Sequence, residues 1–131
     1  MALTMVEFSR AQLWAGLDTV FRYNSNTAHQ NEFNTIAMRQ SMEALMVKYR
    51  VSAVFSGHVH AYERSKPVAY EKVCSAGVTY INIGDGGNRE GHSEKYLSQP
   101  EWSDFRNGDF FGHGRLQLAN ASHAYWEVYK C

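Results

Sequence analysis

The sequence has little net charge, few cysteines and no long hydrophobic run, and each shortage excludes a class of protein. Its 13 Lys and Arg residues balance its 13 Asp and Glu residues, so no basic field attracts nucleic-acid phosphates or an anionic membrane. No segment approaches the roughly 18 consecutive apolar residues of a membrane span, and residues 1–7 lack the basic start and apolar run of a secretion signal. We therefore expect no nucleic-acid partner, no membrane association and no signal peptide in this chain.

The two cysteines, Cys74 and Cys131, belong to no zinc-binding spacing. They could form one disulfide or none, so they leave the redox compartment open. A length of 131 residues with 44% hydrophobic residues is enough for one buried core and too short for two. The composition predicts a single globular domain over residues 1–131.

Apolar residues recur every three or four positions in two segments, which predicts two amphipathic helices. The first covers residues 10–21 and the second covers residues 33–49. The segment between them, residues 23–31, is rich in Asn and Ser, whose side chains favour turns because they compete for backbone hydrogen bonds. We expect a loop there, and it carries His29.

Short apolar and β-branched runs predict strands after the second helix. The expected strands are residues 51–55, 78–83, 114–119 and 124–129, with the last two forming a hairpin. The stretch around residues 100–107 reads as irregular. Helices followed by strands, with no repeat or linker, indicate one mixed α/β unit.

The segment 57–64, Gly-His-Val-His-Ala-Tyr-Glu-Arg, follows the end of an expected strand. Residues two apart on an extended chain lie on the same side, so His58 and His60 could both reach one or two metal ions. A pair of surface or hydrogen-bonded histidines is the alternative for a bare His-x-His.

This segment resembles the signature of the purple acid phosphatases, which belong to the calcineurin-like metallophosphoesterases. Other segments resemble the C-terminal part of that family and follow in the same order, so the resemblance runs from about residue 11 to residue 129. They are residues 23–26 (Tyr-Asn-Ser-Asn), 47–51, 80–88 (Tyr-Ile-Asn-Ile-Gly-Asp-Gly-Gly-Asn), 100–106, 111–115 and 120–124.

The resemblance implies an α/β fold, the incomplete C-terminal half of a β-α-β-α-β sandwich with a mixed sheet flanked by helices. Residues 11–22 would be a helix remnant and residues 23–131 the family's C-terminal region. The implied activity is hydrolysis of phosphate monoesters at a binuclear centre of Fe(III) with Zn, Fe or Mn. In such a centre the cations lower the pKa of bound water and neutralise charge on the leaving group.

The resemblance also implies roles for individual residues. His58 would bind the divalent metal and His60 the ferric ion, while His29 would contact the substrate phosphate and protonate the leaving group. A solvated loop histidine is the alternative for His29. Glu63 and Arg64 are expected to support the loop from beneath, or to anchor it as a buried ion pair.

Several other residues are weaker candidates. Asp85 lies in a glycine-rich turn, but the family places no metal ligand there, and His92, His113 and His123 are given no catalytic role. Asn120 begins an Asn-Ala-Ser glycosylation sequon at the expected hairpin turn, which matters only in the secretory pathway. The resemblance implies a secreted glycoprotein.

The sequence also lacks the carboxylates that a binuclear centre needs. The family's Asp-containing metal motifs have no equivalent in this chain, and Arg22 directly precedes Tyr23 where the family has a strand with another metal-binding His. We therefore expect a truncated chain with little or no activity alone, whose strands at residues 51–55 and 78–83 lack partners. The alternative is a non-enzymatic remnant that binds metal weakly, forms a homodimer or pairs with a full-length homologue.

Overall fold

The computed structural model describes the backbone of residues 4–7 and 13–15 and all atoms of residues 23–131. Within these residues the elements follow in this order: β1 (Thr4–Glu7), β2 (Leu13–Ala15), α1 (Phe33–Lys48), β3 (Ala53–Ser56), β4 (Tyr62–Ser65), β5 (Val68–Ala69), β6 (Lys72–Val73), β7 (Thr79–Ile83), β8 (Ser103–Asn107), β9 (Gly112–Leu118) and β10 (His123–Lys130).

The main sheet has five strands in the order β2-β3-β7-β4-β8. Strands β2, β3 and β7 run parallel, whereas β4 runs antiparallel to both β7 and β8. A register shift between Arg64 and Ser65 interrupts the pairing of β4 with β8. This mixed sheet, with α1 between β2 and β3 in the chain, confirms the expected α/β class.

A second sheet has three antiparallel strands in the order β1-β10-β9. Its hairpin pairs Ala124 with Leu118 and Lys130 with Gly112, and β1 adds to the other side of β10, with Thr4 opposite Trp126. Strands β5 and β6 form a separate two-stranded hairpin.

The two faces of the main sheet pack against different layers, because successive side chains of a strand point to opposite faces. Val54 and Tyr80 join Met46 of α1 in one buried cluster. The other face packs against the three-stranded sheet, where Ile81 and Trp126 belong to a second cluster. The described residues therefore form a helix layer, a central sheet and an outer sheet. Loops follow the ends of strands β3 and β7 of the central sheet.

Several expectations are confirmed. The helix expected at residues 33–49 is α1, the strands expected at 51–55 and 78–83 are β3 and β7, and the expected hairpin is β9–β10. The expectation that β3 and β7 lack partners is wrong, because β3 lies between β2 and β7, and β7 lies between β3 and β4.

Two other expectations are wrong in part. Residues 13–15 form strand β2, paired in parallel with β3, where a helix over residues 10–21 was expected; the rest of that helix lies outside the described residues. Pairing with a neighbouring buried strand overrides helical periodicity in so short a segment. Residues 103–107 form β8 instead of irregular chain, because β4 offers them an antiparallel partner.

The described residues include no helix that is long and apolar enough to cross a membrane.

Candidate metal and phosphate site

The histidine-bearing loop, residues 57–61, connects β3 to β4 and is fixed from below. Val59 and Ala61 are buried and pack with Tyr96. The buried Asn82 amide donates hydrogen bonds to the carbonyl oxygens of Val59 (3.0 Å) and Ala61 (2.5 Å). Because Val59 and Ala61 are held inside, His58 is left exposed and His60 partly exposed.

His58 has a left-handed backbone conformation, with φ of 71°, which is uncommon for a residue with a side chain. Strained backbone of this kind is found preferentially at functional sites. Its imidazole lies edge-on to that of His29, with 5.0 Å between the ring centroids. The loop therefore presents His58 to a different segment of the chain, 29 residues earlier.

That second segment, residues 23–32, is ordered by its own asparagines. Asn24 Oδ1 accepts a hydrogen bond from the Asn26 amide, and Asn26 Oδ1 accepts one from the Ala28 amide, each at 3.0 Å. Asn26 Nδ2 also donates to the Ser93 carbonyl at 2.7 Å. These turns use asparagine as expected for the loop, and they set the position of His29.

Glu32 joins the two histidines. It occupies the N-cap position of α1, but its side chain makes no capping hydrogen bond. Instead, His29 Nδ1 donates to Glu32 Oε1 at 2.7 Å, and His58 Nε2 lies 3.3 Å from Glu32 Oε2. The hydrogen bond from His29 lowers the pKa of Glu32, and the charges of His29 and His58 act in the same direction, against the opposing effect of burial.

These three side chains form a group that could hold a metal ion, since one ligand atom from each lies within 4.8 Å of the others. His60 is not a member of this group. Its Nε2 lies 3.8 Å from Glu90 Oε2. The structure thus places His58 with His29, whereas the sequence suggested that His58 would share metal ions with His60.

Beneath the site, Glu63 ties the start of the His29 loop to the main sheet. Its side chain is 1% exposed. It accepts hydrogen bonds from the Ser25 amide, the Ser25 hydroxyl and the Ser103 hydroxyl, each at 2.7 Å. Arg106 Nη1 donates to the same Ser25 hydroxyl at 2.8 Å. Glu63 therefore connects the start of the His29 loop to β4 and β8.

Arg64 forms an ion pair with Asp104 and not with its neighbour Glu63. Arg64 Nη2 lies 2.6 Å from Asp104 Oδ2 in a partly buried ion pair. Because Glu63 and Arg64 are adjacent in β4, their side chains point to opposite faces of the sheet. The two residues thus fasten β4 to its surroundings separately and do not form the ion pair that the sequence suggested as an alternative.

The remaining sequence candidates lie away from the three-residue group. Asp85 is buried, and burial raises the pKa of its carboxyl. His92 contacts Phe111 (3.8 Å between ring centroids), and His113 stacks on Tyr129. Asn120 is exposed at the β9–β10 turn, where its Oδ1 accepts a hydrogen bond from the Ser122 amide. Both cysteines, at positions 74 and 131, are free and exposed.

Sequence reasoning missed Glu32. A signal was available, because Glu32 follows His29 by three residues and immediately precedes the first residue of an expected helix. At that spacing, two side chains at the start of a helix can meet. Its contact with His58, however, depends on how the 57–61 loop folds.

Comparisons with known proteins add a family context. Residues 77–130 match the family model described as iron/zinc purple acid phosphatase-like protein C. The chain is 53% identical over 109 residues to probable purple acid phosphatase 20 of Arabidopsis thaliana, covering 82% of this chain and 25% of that protein. It is 44% identical over 116 residues to Fe(3+)-Zn(2+) purple acid phosphatase 12 of the same plant, covering 79% of this chain and 24% of that protein.

Among solved structures, purple acid phosphatase PPD1 from yellow lupin (Lupinus luteus) seeds matches with a TM-score of 0.76 and 23% identity. The match covers 90% of this chain and 22% of the lupin protein, and at that identity it bears on the fold alone. The chain spans about a quarter of the length of the curated relatives that it matches.

Proposed function

The chain has the sequence and the fold of a C-terminal part of the purple acid phosphatases, and from this premise we propose that it belongs to a protein that hydrolyses phosphate monoesters. The observation that carries this proposal is the meeting of His29 and His58, from two separate loops, with 5.0 Å between their rings. The loops around them are fixed by buried polar contacts, as expected for a site that must hold its geometry.

We assign His29 to the substrate and its leaving group. Its Nδ1 donates to Glu32, which leaves Nε2 as the ring nitrogen available to a phosphate oxygen. A histidine with one free ring nitrogen at this position could pass a proton to a leaving group. His58 and His60 are assigned to metal ions, and Glu63 and Arg64 to the support of their loop.

A binuclear centre of Fe(III) with Zn, Fe or Mn is proposed only for a protein longer than this chain. Among the described residues, the group of donors that could hold a metal contains one carboxylate and two imidazoles. One negative charge does not balance two cations with a total charge near five, nor does it leave a carboxylate free to bridge them. The described residues therefore do not fit that centre by themselves.

A chimeric protein tests the proposal. The part of probable purple acid phosphatase 20 that this chain matches, 25% of that protein, would be replaced by the corresponding residues of this chain. We expect this chimera to hydrolyse nitrophenyl phosphate in mildly acidic buffer, and the 131-residue chain alone to show no hydrolysis above background. His29→Ala should lower kcat of the chimera by about 10²–10⁴-fold, the usual contribution of a general acid.

His123→Ala is the matched control, because His123 lies at the hairpin turn, where it contacts Asn120 and Ser122. It should leave kcat unchanged. A soluble chimera without activity, or one in which His58→Ala is as active as the control, would contradict the proposal. Hydrolysis by the chain alone that His58→Ala abolishes would contradict the expectation of inactivity.

We also propose that the protein is secreted and carries a glycan on Asn120. Asn120 and Ser122 of the sequon are both exposed at the β9–β10 turn, where an oligosaccharide would meet no packed side chain. Expression through a plant secretory pathway should give a product whose mobility increases after glycosidase treatment. The Asn120→Gln variant should show no such change.

The alternative is a chain with no enzymatic activity that binds one metal ion. The group formed by His29, Glu32 and His58 favours this alternative, because it lies wholly within the described residues. Pairing with a homologue, or with a second copy, remains a prediction from the sequence.

A further inference from the structure

Three potential metal ligands converge from two segments of the chain. His29 and Glu32 come from the loop before α1 and from its N-cap, and His58 comes from the loop after β3. Two imidazoles and one carboxylate are a donor set that suits Zn²⁺ and neighbouring divalent transition metals. The cluster has one negative charge when its histidines are neutral, which favours a divalent cation.

The distances are close to those that a zinc ion requires. With bonds of about 2.0–2.1 Å, a tetrahedral zinc ion spaces its ligand atoms about 3.3–3.4 Å apart. In the structure, Glu32 Oε2 lies 3.3 Å from His58 Nε2, and Glu32 Oε1 lies 2.7 Å from His29 Nδ1. The ligand atoms all lie within 4.8 Å of one another, so small rotations of the side chains would bring them onto one ion.

The backbone that carries these ligands is already in place. The asparagine turns fix the loop of His29, and the Asn82 amide fixes the loop of His58 through two carbonyl oxygens. Glu32 makes no competing cap hydrogen bond. Ordering flexible chain is a main cost of forming a metal site, and here metal binding would order little additional chain.

The cluster is also accessible. The side chains of His29, Glu32 and His58 are 23%, 36% and 40% exposed, so an ion can enter without opening the fold. Three protein ligands leave a tetrahedral zinc ion one position for water or an anion.

We propose that the 131-residue chain binds one zinc-type divalent cation through His29, Glu32 and His58. This site differs from the binuclear centre expected from the sequence, because it uses His29 as a ligand and does not use His60. It goes beyond the proposed phosphatase function and does not depend on it.

Calorimetric titration of the purified chain with ZnCl₂ tests the proposal, with Co²⁺ as a spectroscopic probe of the ligand geometry. We expect one ion per chain and the visible absorption of four-coordinate Co²⁺. His29→Ala, Glu32→Gln and His58→Ala should each weaken binding by at least tenfold, since even the loss of a group that only orients a metal ligand typically costs about 10–100-fold. His113→Ala, which removes a histidine stacked on Tyr129 outside the group, is the matched control and should leave the affinity unchanged. His60→Ala should weaken binding much less than His58→Ala, because His60 is not a member of the group.

Circular dichroism would verify that each variant is folded. If one is not, zinc titration of the unsubstituted chain by NMR gives a second measurement. The ring signals of His29 and His58 should then shift together while those of His60 stay unchanged.

Four results would overturn the proposal: no zinc bound by the unsubstituted chain, full affinity in His29→Ala or Glu32→Gln, a loss in His60→Ala as large as that in His58→Ala, or two ions bound per chain. The activity of the chimera tests a different claim on a different protein. A chain that fails to bind zinc therefore leaves the phosphatase proposal standing, and an inactive chimera leaves the zinc site standing.

Discussion

Replacing Glu63 should show how much its buried hydrogen bonds contribute to the free energy of unfolding. This side chain is 1% exposed and accepts three hydrogen bonds at 2.7 Å, two from Ser25 and one from Ser103. In Glu63→Ala, three buried donors lose their acceptor. At about 1–1.5 kcal/mol for each bond, we expect the free energy of unfolding to fall by about 3–4.5 kcal/mol.

Glu63→Gln provides a graded comparison, because it keeps the shape of the side chain. One amide oxygen can still accept from the Ser25 backbone, and both hydroxyls can rotate to accept from the amide NH₂. The loss is then the charge-assisted part of the bonds, about 1.5–2 kcal/mol, since such bonds are roughly twice as strong as neutral ones. Ser103→Ala removes a single donor and should cost about 1 kcal/mol.

Urea denaturation followed by circular dichroism measures all three variants. With a slope of about 1.5 kcal/mol/M, Glu63→Gln should lower the midpoint by about 1 M. The reasoning would be refuted if Glu63→Ala cost no more than Ser103→Ala, because the carboxyl group would then not be holding Ser25 to the sheet. A double variant at positions 63 and 103 should cost less than the sum of the single variants.

Two further predictions concern the turn that follows β7. Gly84→Ala should lower the free energy of unfolding by at least about 2 kcal/mol, because its Cβ would overlap the backbone carbonyl of Val59. Gly86→Ala is the control: the new Cβ has open space around it, so thermal unfolding should give a free energy within about 0.5 kcal/mol of that of the natural chain. Equal effects of the two substitutions would contradict this prediction. Burial raises the pKa of Asp85, so its contribution to stability is fully present below the pKa of the unfolded chain and is lost as pH rises through the folded pKa. The melting temperature of Asp85→Asn, relative to that of the natural chain, should therefore be higher at about pH 7 than at about pH 4. A difference in melting temperature that does not change with pH would contradict this prediction.

The parts of the fold that local pattern determines could be predicted from the sequence. Helix α1 was predicted from apolar residues at every third or fourth position, although Phe33 and Leu45 are exposed and Glu43 is buried. Strands β3 and β7 are short apolar runs bounded by turns. Strand β4 was not predicted, since Tyr-Glu-Arg-Ser reads as polar. Its charged residues are buried only because Ser25, Ser103 and Asp104 approach from distant segments. Long-range pairing of this kind leaves no local pattern.

The candidate site likewise has features that the local sequence predicts and features that depend on the tertiary fold. His29 and His58 were identified from motifs, because each lies in a characteristic stretch of sequence. The partnership of His58 with Glu32 instead of His60 depends on the left-handed backbone at His58 and on the direction in which α1 begins. Both are tertiary features. A motif could therefore indicate candidate residues but not which of them lie together in the fold.

The pairing of β1 with β10 also constrains when the outer sheet can form during synthesis. Thr4 lies opposite Trp126, a separation of roughly 120 residues, which makes this a contact with a high loop-closure cost. The nascent chain emerges from its N-terminus, so residues 4–7 must wait until residues 123–130 have left the ribosome. During that interval β1 has no partner in this sheet. We therefore expect the helix and the central sheet to form first, and a chaperone that shields exposed strands to act on the early N-terminal segment.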